Sequence, residues 1–180
     1  MPDFQIKVEN IVASISLGVK IPLKKLLDEN TEYEPEQFPG AVYRLKEPRT
    51  AALIFSSGKI VCTGSRNRAE LNKSVEEILK KIRKTGVKIP KNYKVEIQNI
   101  VASAKIGESL NLDKIAFNLE NTEYEPEQFP GVVYRIEDPK VAFLFFGSGK
   151  VVCTGARKVE DVHKAIEIAY KRLKEIKAIE

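Results

Sequence analysis

Glu32-Tyr33-Glu34-Pro35-Glu36-Gln37-Phe38-Pro39-Gly40 returns unchanged as Glu123-Tyr124-Glu125-Pro126-Glu127-Gln128-Phe129-Pro130-Gly131, at an offset of 91. Working outward, Asn10-Ile11-Val12-Ala13-Ser14 returns as Asn99-Ile100-Val101-Ala102-Ser103, and Cys62-Thr63-Gly64 as Cys153-Thr154-Gly155. Between Thr31–Gly64 and Thr122–Gly155, 24 of 34 positions are identical, so the chain carries one unit twice. The offset is 89 early and 91 later, which assigns two extra residues, Glu108 and Ser109, to the second copy. Two copies of this length are too few for an open solenoid. They predict a closed internal pair, residues 1–90 and 91–180, related as the subunits of a two-fold dimer are and forming one pseudo-symmetric domain.

The chain has 180 residues, 43% apolar and 31% charged, which suits a soluble globular protein with one good core or two small ones. Its longest strongly apolar run, Val141–Phe146, is far short of a membrane span, and the N-terminus lacks the pattern of a secretory signal. A cytoplasmic protein without a membrane partner is expected. Cys62 and Cys153, the only cysteines, lie at matching positions in apolar runs and read as buried reduced thiols. The net charge of +5 resides in the first half, with 16 Lys and Arg against 11 Asp and Glu; the second half has 14 of each. This balance permits a polyanionic partner without demanding one.

Each copy opens on an alternating segment, 4–14 and 93–103. A short amphipathic stretch follows, 22–27 and 111–119, with Pro22 fitted to a first helical turn and Asn111 or Asp113 to a cap. Three β-branched runs then follow in each copy, 41–45, 51–55 and 59–63 and their repeats 132–136, 141–146 and 150–154. Tight turns separate them, which predicts antiparallel strands. A long amphipathic helix closes each copy, with Leu71, Val75, Ile78, Leu79 and Ile82 on one stripe and Val162, Ile166, Ala169, Tyr170 and Leu173 on the other.

The strands are apolar on both faces, whereas helices can cover only one. Val12, Leu53, Phe55, Val61 and their repeats therefore form a face that needs a partner, or else two half-sheets stack as a sandwich. Asn10 and Thr63 alternate with Val12 and Val61 on that face, and Asn99 and Thr154 with Val101 and Val152. Polar donors spaced among valines match the scattered acceptors of a nucleic-acid minor groove, although Asn10 equally fits a strand end and Thr63 an ordinary β former. Phe38 and Phe129 precede Pro-Gly, and Phe55 and Phe146 precede the Ser-Gly turns. They read either as core or as wedges that unstack base steps. Arg44, Lys59, Arg66, Arg135, Lys150 and Arg157 recur in register near strand ends, where phosphates of a duplex on this face would run.

Enzymatic readings are weak. His163 is the only histidine and falls on a helix surface; no His, Cys or Asp cluster accompanies the paired Glu34/Glu36 and Glu125/Glu127; and Ser57-Gly58-Lys59 lacks the spacing of a nucleotide loop. No enzyme, metal or cofactor is expected. The acidic segments read as protruding loops that phosphate repels, so they should meet a protein.

Taken together, the paired Tyr-Glu-Pro-Glu-Gln-Phe-Pro-Gly segments, Glu9-Asn10-Ile11-Val12 with Gln98-Asn99-Ile100-Val101, and Ser-Gly-Lys followed by Cys-Thr-Gly resemble the archaeal TATA-box-binding protein family, over about Asp3–Lys174. The resemblance implies an α+β saddle, a ten-stranded curved antiparallel sheet with four helices on its convex face. The concave underside then grips the DNA minor groove, which removes the sandwich alternative. Phe38 with Phe55 and Phe129 with Phe146 become intercalating pairs. Asn10, Asn99, Thr63 and Thr154 become central hydrogen-bonding residues, Val12, Val61, Val101 and Val152 minor-groove contacts, and the six recurring cations phosphate contacts. The family is itself a standard example of a kinked minor-groove complex, so the bend belongs to what the resemblance implies.

By the same resemblance, the loop around Glu123, Glu125, Glu127 and Gln128 receives transcription factor B, which brings RNA polymerase to the promoter. Free molecules have the option of pairing through their undersides. A protein-interaction scaffold using the same bare face without DNA preference is the alternative function.

Overall fold

The computed structural model describes residues 2–180. The chain divides into two compact units, Asn10–Gln98 and residues 2–9 together with Asn99–Glu180. The division does not fall at the linker around Pro90. Each unit takes up the leading end of the other repeat: Gln98 Nε2 donates to Ser14 Oγ at 2.8 Å in the first unit, and Ser103 Oγ donates to Glu9 Oε1 at 2.8 Å in the second.

In the first unit the strand order is β2 (Thr31–Glu32), β3 (Ala41–Arg44), β4 (Ala51–Ile54), β5 (Lys59–Ser65) and β1 (Lys7–Ser16), all neighbours antiparallel. In the second it is β6 (Lys94–Lys105), β10 (Lys150–Ala156), β9 (Lys140–Phe145), β8 (Val132–Glu137) and β7 (Thr122–Glu123), again antiparallel. The ten strands that the resemblance implied are therefore present, five per unit. Two-residue β2 and β7 have too little pattern to be read from composition, whereas the other eight follow the alternating runs.

Among the described residues three α-helices form, not four: α1 (Arg68–Arg83), α2 (Leu112–Asn118) and α3 (Val159–Glu175). The expected fourth is a single 3-10 turn at Leu23–Leu26. The cause is local. Asn111 Oδ1 accepts the Lys114 N–H at 3.0 Å and starts α2, whereas Pro22 offers no side-chain acceptor and Leu27 is already extended. Asn67 caps α1 in the same way, accepting the Glu70 N–H at 2.8 Å.

The covered face of each unit is its core. Ile11, Ala13, Ile15, Ala52, Ile54, Ile60 and Cys62 lie beneath Leu71, Val75, Ile78, Leu79 and Ile82 of α1. Ile100, Ala102, Phe143, Phe145, Val151 and Cys153 lie beneath Val162, Ile166, Ala169 and Leu173 of α3. Both cysteines are free thiols. Among the described residues no helix is long and apolar enough to cross a membrane.

Candidate nucleic-acid interface

The opposite face of each unit is built by period-two alternation. Across the first unit, Val42, Leu53, Val61 and Ser14 stand in one row, each paired with the next across the ladder. Arg44, Ala51 and Thr63 form the row beside it. The second unit repeats both rows as Val133, Leu144, Val152 and Ser103, and as Arg135, Ala142 and Thr154. Val12, Val61, Val101 and Val152 are half-buried, unlike the fully buried side chains on the covered face. Val42 and Val133 were missed in reading the sequence as face residues; the alternation in β3 and β8 is the signal that finds them.

A β-bulge organises the polar centre of each face. Between Ile11 and Ala13 the partner strand advances from Ser65 to Cys62, one residue more than the ladder needs, and Ala156 to Cys153 repeats this opposite Ile100 and Ala102. Gly64 at φ +105° and Gly155 at φ +111° absorb the extra residue, a conformation that glycine adopts without cost. The bulge takes a backbone N–H out of the ladder, and an asparagine satisfies it. Asn10 Oδ1 accepts the Gly64 N–H at 2.6 Å, and Asn99 Oδ1 accepts that of Gly155 at 2.6 Å.

This bond fixes which way each amide faces. Asn10 Nδ2 donates to Thr63 Oγ1 at 3.1 Å and Asn99 Nδ2 to Thr154 Oγ1 at 3.0 Å. The threonine hydroxyl also donates back to the same amide, Thr63 Oγ1 to Asn10 Oδ1 at 3.3 Å and Thr154 Oγ1 to Asn99 Oδ1 at 3.4 Å, so the second amide proton is the one left to donate outward. Each open face thus presents an uncommitted amide donor beside a threonine hydroxyl and apolar valines. That is the complement of a surface bearing isolated acceptors, such as the floor of an A·T minor groove.

Phe38, Phe55, Phe129 and Phe146 form two pairs, one per unit. Phe38 and Phe55 lie with ring centroids 5.7 Å apart, and Phe129 and Phe146 at 5.8 Å, both edge to face. Phe38 and Phe129 are 38% and 40% exposed, whereas Phe55 and Phe146 are partly buried behind them. Their backbones are pinned by tight turns. The Glu34 carbonyl accepts N–H groups from both Gln37 and Phe38, and the Glu125 carbonyl those from Gln128 and Phe129. The Phe55 N–H donates to the Lys59 carbonyl while the Phe55 carbonyl accepts from Gly58, and Phe146 is held in the same way by Lys150 and Gly149.

A glycine sits under each pair. A Cβ on Gly40 would lie 2.9 Å from Phe38 and 3.0 Å from Phe55; one on Gly131 would lie 2.9 Å from Phe129 and 3.1 Å from Phe146. Only a residue without a side chain lets the rings settle onto the strand, so the Pro-Gly of the repeated segment is part of the aromatic pair as well as the end of a loop.

All six sequence-selected cations are exposed. Lys59 and Lys150 share the parity of the open faces. Arg66 and Arg157 follow the last residues of β5 and β10, with the Arg66 N–H bonded to Glu70 at 2.9 Å. Arg44 and Arg135 border hollows of ≈640 Å³ and ≈330 Å³ that also reach Thr63 and Thr154. On the acidic loop, Glu125, Glu127 and the neutral Gln128 are exposed. Glu123 differs: it lies in β7, and its carboxylate accepts from Arg135 at 3.1 Å, as Glu32 does from Arg44. His163 lies exposed on α3.

Comparison with known proteins gives one consistent result. The family model described as transcription factor TFIID (or TATA-binding protein, TBP) matches residues 5–85 and 94–176. The chain is 52% identical over 181 residues to the TATA-box-binding protein of Methanothermobacter thermautotrophicus, covering 99% of this chain and all of that one. It is 51% identical over 171 residues to the TATA-box-binding protein of Archaeoglobus fulgidus, covering 93% of each. Among solved structures, Methanococcus jannaschii TBP is similar with a TM-score of 0.87 and 48% identity, over 94% of this chain and 98% of that one.

Proposed function

From the fact that this chain belongs to the TATA-binding protein family, we propose that it is a general transcription initiation factor that binds A·T-rich promoter DNA through the minor groove. The observation that carries the reading is the duplicated open face: valines around an asparagine–threonine pair with an outward amide donor, ending in a pinned aromatic pair over a glycine. In this reading the repeats 1–90 and 91–180 act together as one DNA-binding domain. Asn10, Thr63, Asn99 and Thr154 donate to base-edge acceptors, and Val12, Val61, Val101 and Val152 pack on the groove floor.

Preference for A·T follows from two physical effects. Guanine places an amino group in the minor groove, which would press on the valines and present a donor to donors. TA steps also unstack easily, so the sequence that is cheapest to kink is favoured even where nothing touches its bases. Phe38 with Phe55 and Phe129 with Phe146 wedge into a step at either end, at a cost of about a few kcal/mol per step. Arg44, Lys59, Arg66, Arg135, Lys150 and Arg157 hold phosphates and set register without reading sequence. No step of this work is a covalent reaction.

The exposed acids Glu125 and Glu127, with Gln128 and Glu123, receive transcription factor B, and through it RNA polymerase, in the nucleoid of an archaeal cell. Free molecules pair through the apolar faces until DNA displaces the partner. The deciding experiment titrates the protein against an A·T-rich TATA duplex and a G·C-rich control by fluorescence anisotropy at several salt concentrations. Clear preference for the first is expected. Equal affinity for both duplexes would leave the faces to a protein partner instead.

A further inference from the structure

Two of the arginines bordering the open faces already hold an anion. Arg44 Nη1 donates to Glu32 Oε1 at 3.1 Å, and Arg135 Nη1 to Glu123 Oε1 at 3.1 Å. The register explains the match. Glu32 stands directly opposite Val42, and Glu123 opposite Val133, so each carboxylate shares the open face and reaches diagonally to the arginine two residues along. Both acids belong to the two-residue strands that lead into the acidic loops.

These pairs are built to exchange. Each is a single N–H to oxygen contact, with the arginine side chains 59% and 56% exposed and the glutamates 66% and 69% exposed. A guanidinium has five N–H donors, so most remain uncommitted. Lys81 and Asp28 on the other side of the first unit show the contrast. There the lysine side chain is only 13% exposed and lies over the Tyr43 ring, a fastened pair rather than a loose one.

We propose that Glu32 and Glu123 are built-in counter-anions for Arg44 and Arg135. In the free protein each holds its arginine at the border of the open face, and a backbone phosphate displaces it when a duplex binds. The proposal rests on the DNA-binding function above. Two consequences follow. The carboxylate lowers affinity, because its contact with arginine must be given up. It also blunts the salt dependence, because the released carboxylate collects a cation while the phosphate loses one. Discrimination between sequences is untouched, since phosphate contacts carry no base information.

The test compares Glu32→Gln/Glu123→Gln with the unmodified protein on the same A·T-rich duplex, by anisotropy between low and moderate KCl. The double variant should bind about threefold tighter per site at low salt. Its plot of log affinity against log salt should be steeper by up to about one unit per site. Arg44→Gln should cost more affinity in the Glu32→Gln background than in the unmodified protein. Glu34→Gln/Glu125→Gln, which changes the same loops by the same charge away from the arginines, is the control and should give the smaller gain. Unchanged affinity and slope in Glu32→Gln/Glu123→Gln, while the unmodified protein still prefers A·T, would overturn the exchange and leave the function standing. An equal gain in the control variant would also overturn it, by assigning the effect to long-range charge. Failure of the unmodified protein to prefer the A·T duplex would remove the function and this proposal together.

Discussion

The two units keep their open faces and let their cores diverge. On the open side, Asn10, Val12, Val42, Leu53, Val61 and Thr63 have identical counterparts in Asn99, Val101, Val133, Leu144, Val152 and Thr154. On the covered side, Ala52 and Ile54 of β4 stand where Phe143 and Phe145 stand in β9, and Ile78 of α1 stands where Ala169 stands in α3. A core needs only total volume and apolar character, so a larger sheet residue opposed by a smaller helix residue is tolerated. A face that meets one repetitive ligand twice has no such freedom, and the half-buried side chains are the ones held constant.

The second core is aromatic where the first is aliphatic. Phe143 and Phe145 stack at 5.5 Å and 10° between planes, with Tyr134 stacked on both at 6.1 and 5.8 Å. The first core instead contains a polar pair, Thr50 Oγ1 and Ser74 Oγ at 2.9 Å. Their counterparts are Val141 and Ala165, so both partners change together. Such a joint replacement removes a buried bond without orphaning either group. Even the sheet tyrosines are held differently by equivalent helix positions: Lys81 lies over the Tyr43 ring, whereas Arg172 donates to the Tyr134 hydroxyl.

The largest expected effect tests the divergent layer. Phe143→Ala should lower stability by about 3–5 kcal/mol, measured by urea denaturation, because a fully buried ring that packs on both Tyr134 and Phe145 is lost and a cavity is left. Next comes the constant layer. Phe129→Ala should leave the urea midpoint almost unchanged, since the ring is 40% exposed. Its DNA affinity should fall by about 2 kcal/mol, and its DNA bend, read by fluorescence energy transfer, should shrink. Retained curvature in that complex would remove the wedge role. A similar loss is expected in the ternary complex when Glu125 and Glu127 are reversed to lysine, with the binary DNA complex spared. Equal loss of both in a gel-shift titration would contradict a separate protein-binding loop.

Smaller still is the polar pair of the first core. Ser74→Ala alone should cost about 1 kcal/mol by leaving the Thr50 hydroxyl only its 3.4 Å bond to the Pro48 carbonyl, whereas Thr50→Val/Ser74→Ala should recover most of that loss and reproduce the second unit's arrangement. The thiols have no expected effect at neutral pH. Burial pushes Cys62 up to about 11, with the Ser65 and Ser74 hydroxyls pulling the other way, and pushes Cys153 up to about 12. Both lie above the ordinary value of 9.0, so burial favours the protonated form. Their stabilisation is complete below pH 9.0 and is lost as pH rises through about 11 and then about 12. Urea midpoints measured from pH 8 upward should fall on this course, and a variant with Cys62→Ala and Cys153→Ala should show a flatter profile.

Local chemistry made most of the frame legible. The repeated Glu-Tyr-Glu-Pro-Glu-Gln-Phe-Pro-Gly segment, period-two runs and helix stripes determined by themselves that the unit occurs twice, where eight of the strands and both long helices lie, and which residues recur together. Those features depend on neighbours within a few positions, where side-chain direction follows from backbone geometry alone. The 3-10 turn at Leu23–Leu26 shows the edge of that legibility: the apolar spacing suited a helix, but the missing cap acceptor decided otherwise.

Only the tertiary structure decided what depends on groups far apart in the chain. Asn10 is 54 residues from the Gly64 N–H that orients its amide. Gly40 proves to be the floor of an aromatic pair whose second ring comes from another strand, and Glu123 is tied to Arg135 rather than standing free. In each case a single residue type was compatible with several roles, and the choice was made by a hydrogen bond or a contact that exists only after the sheet has brought distant strands side by side.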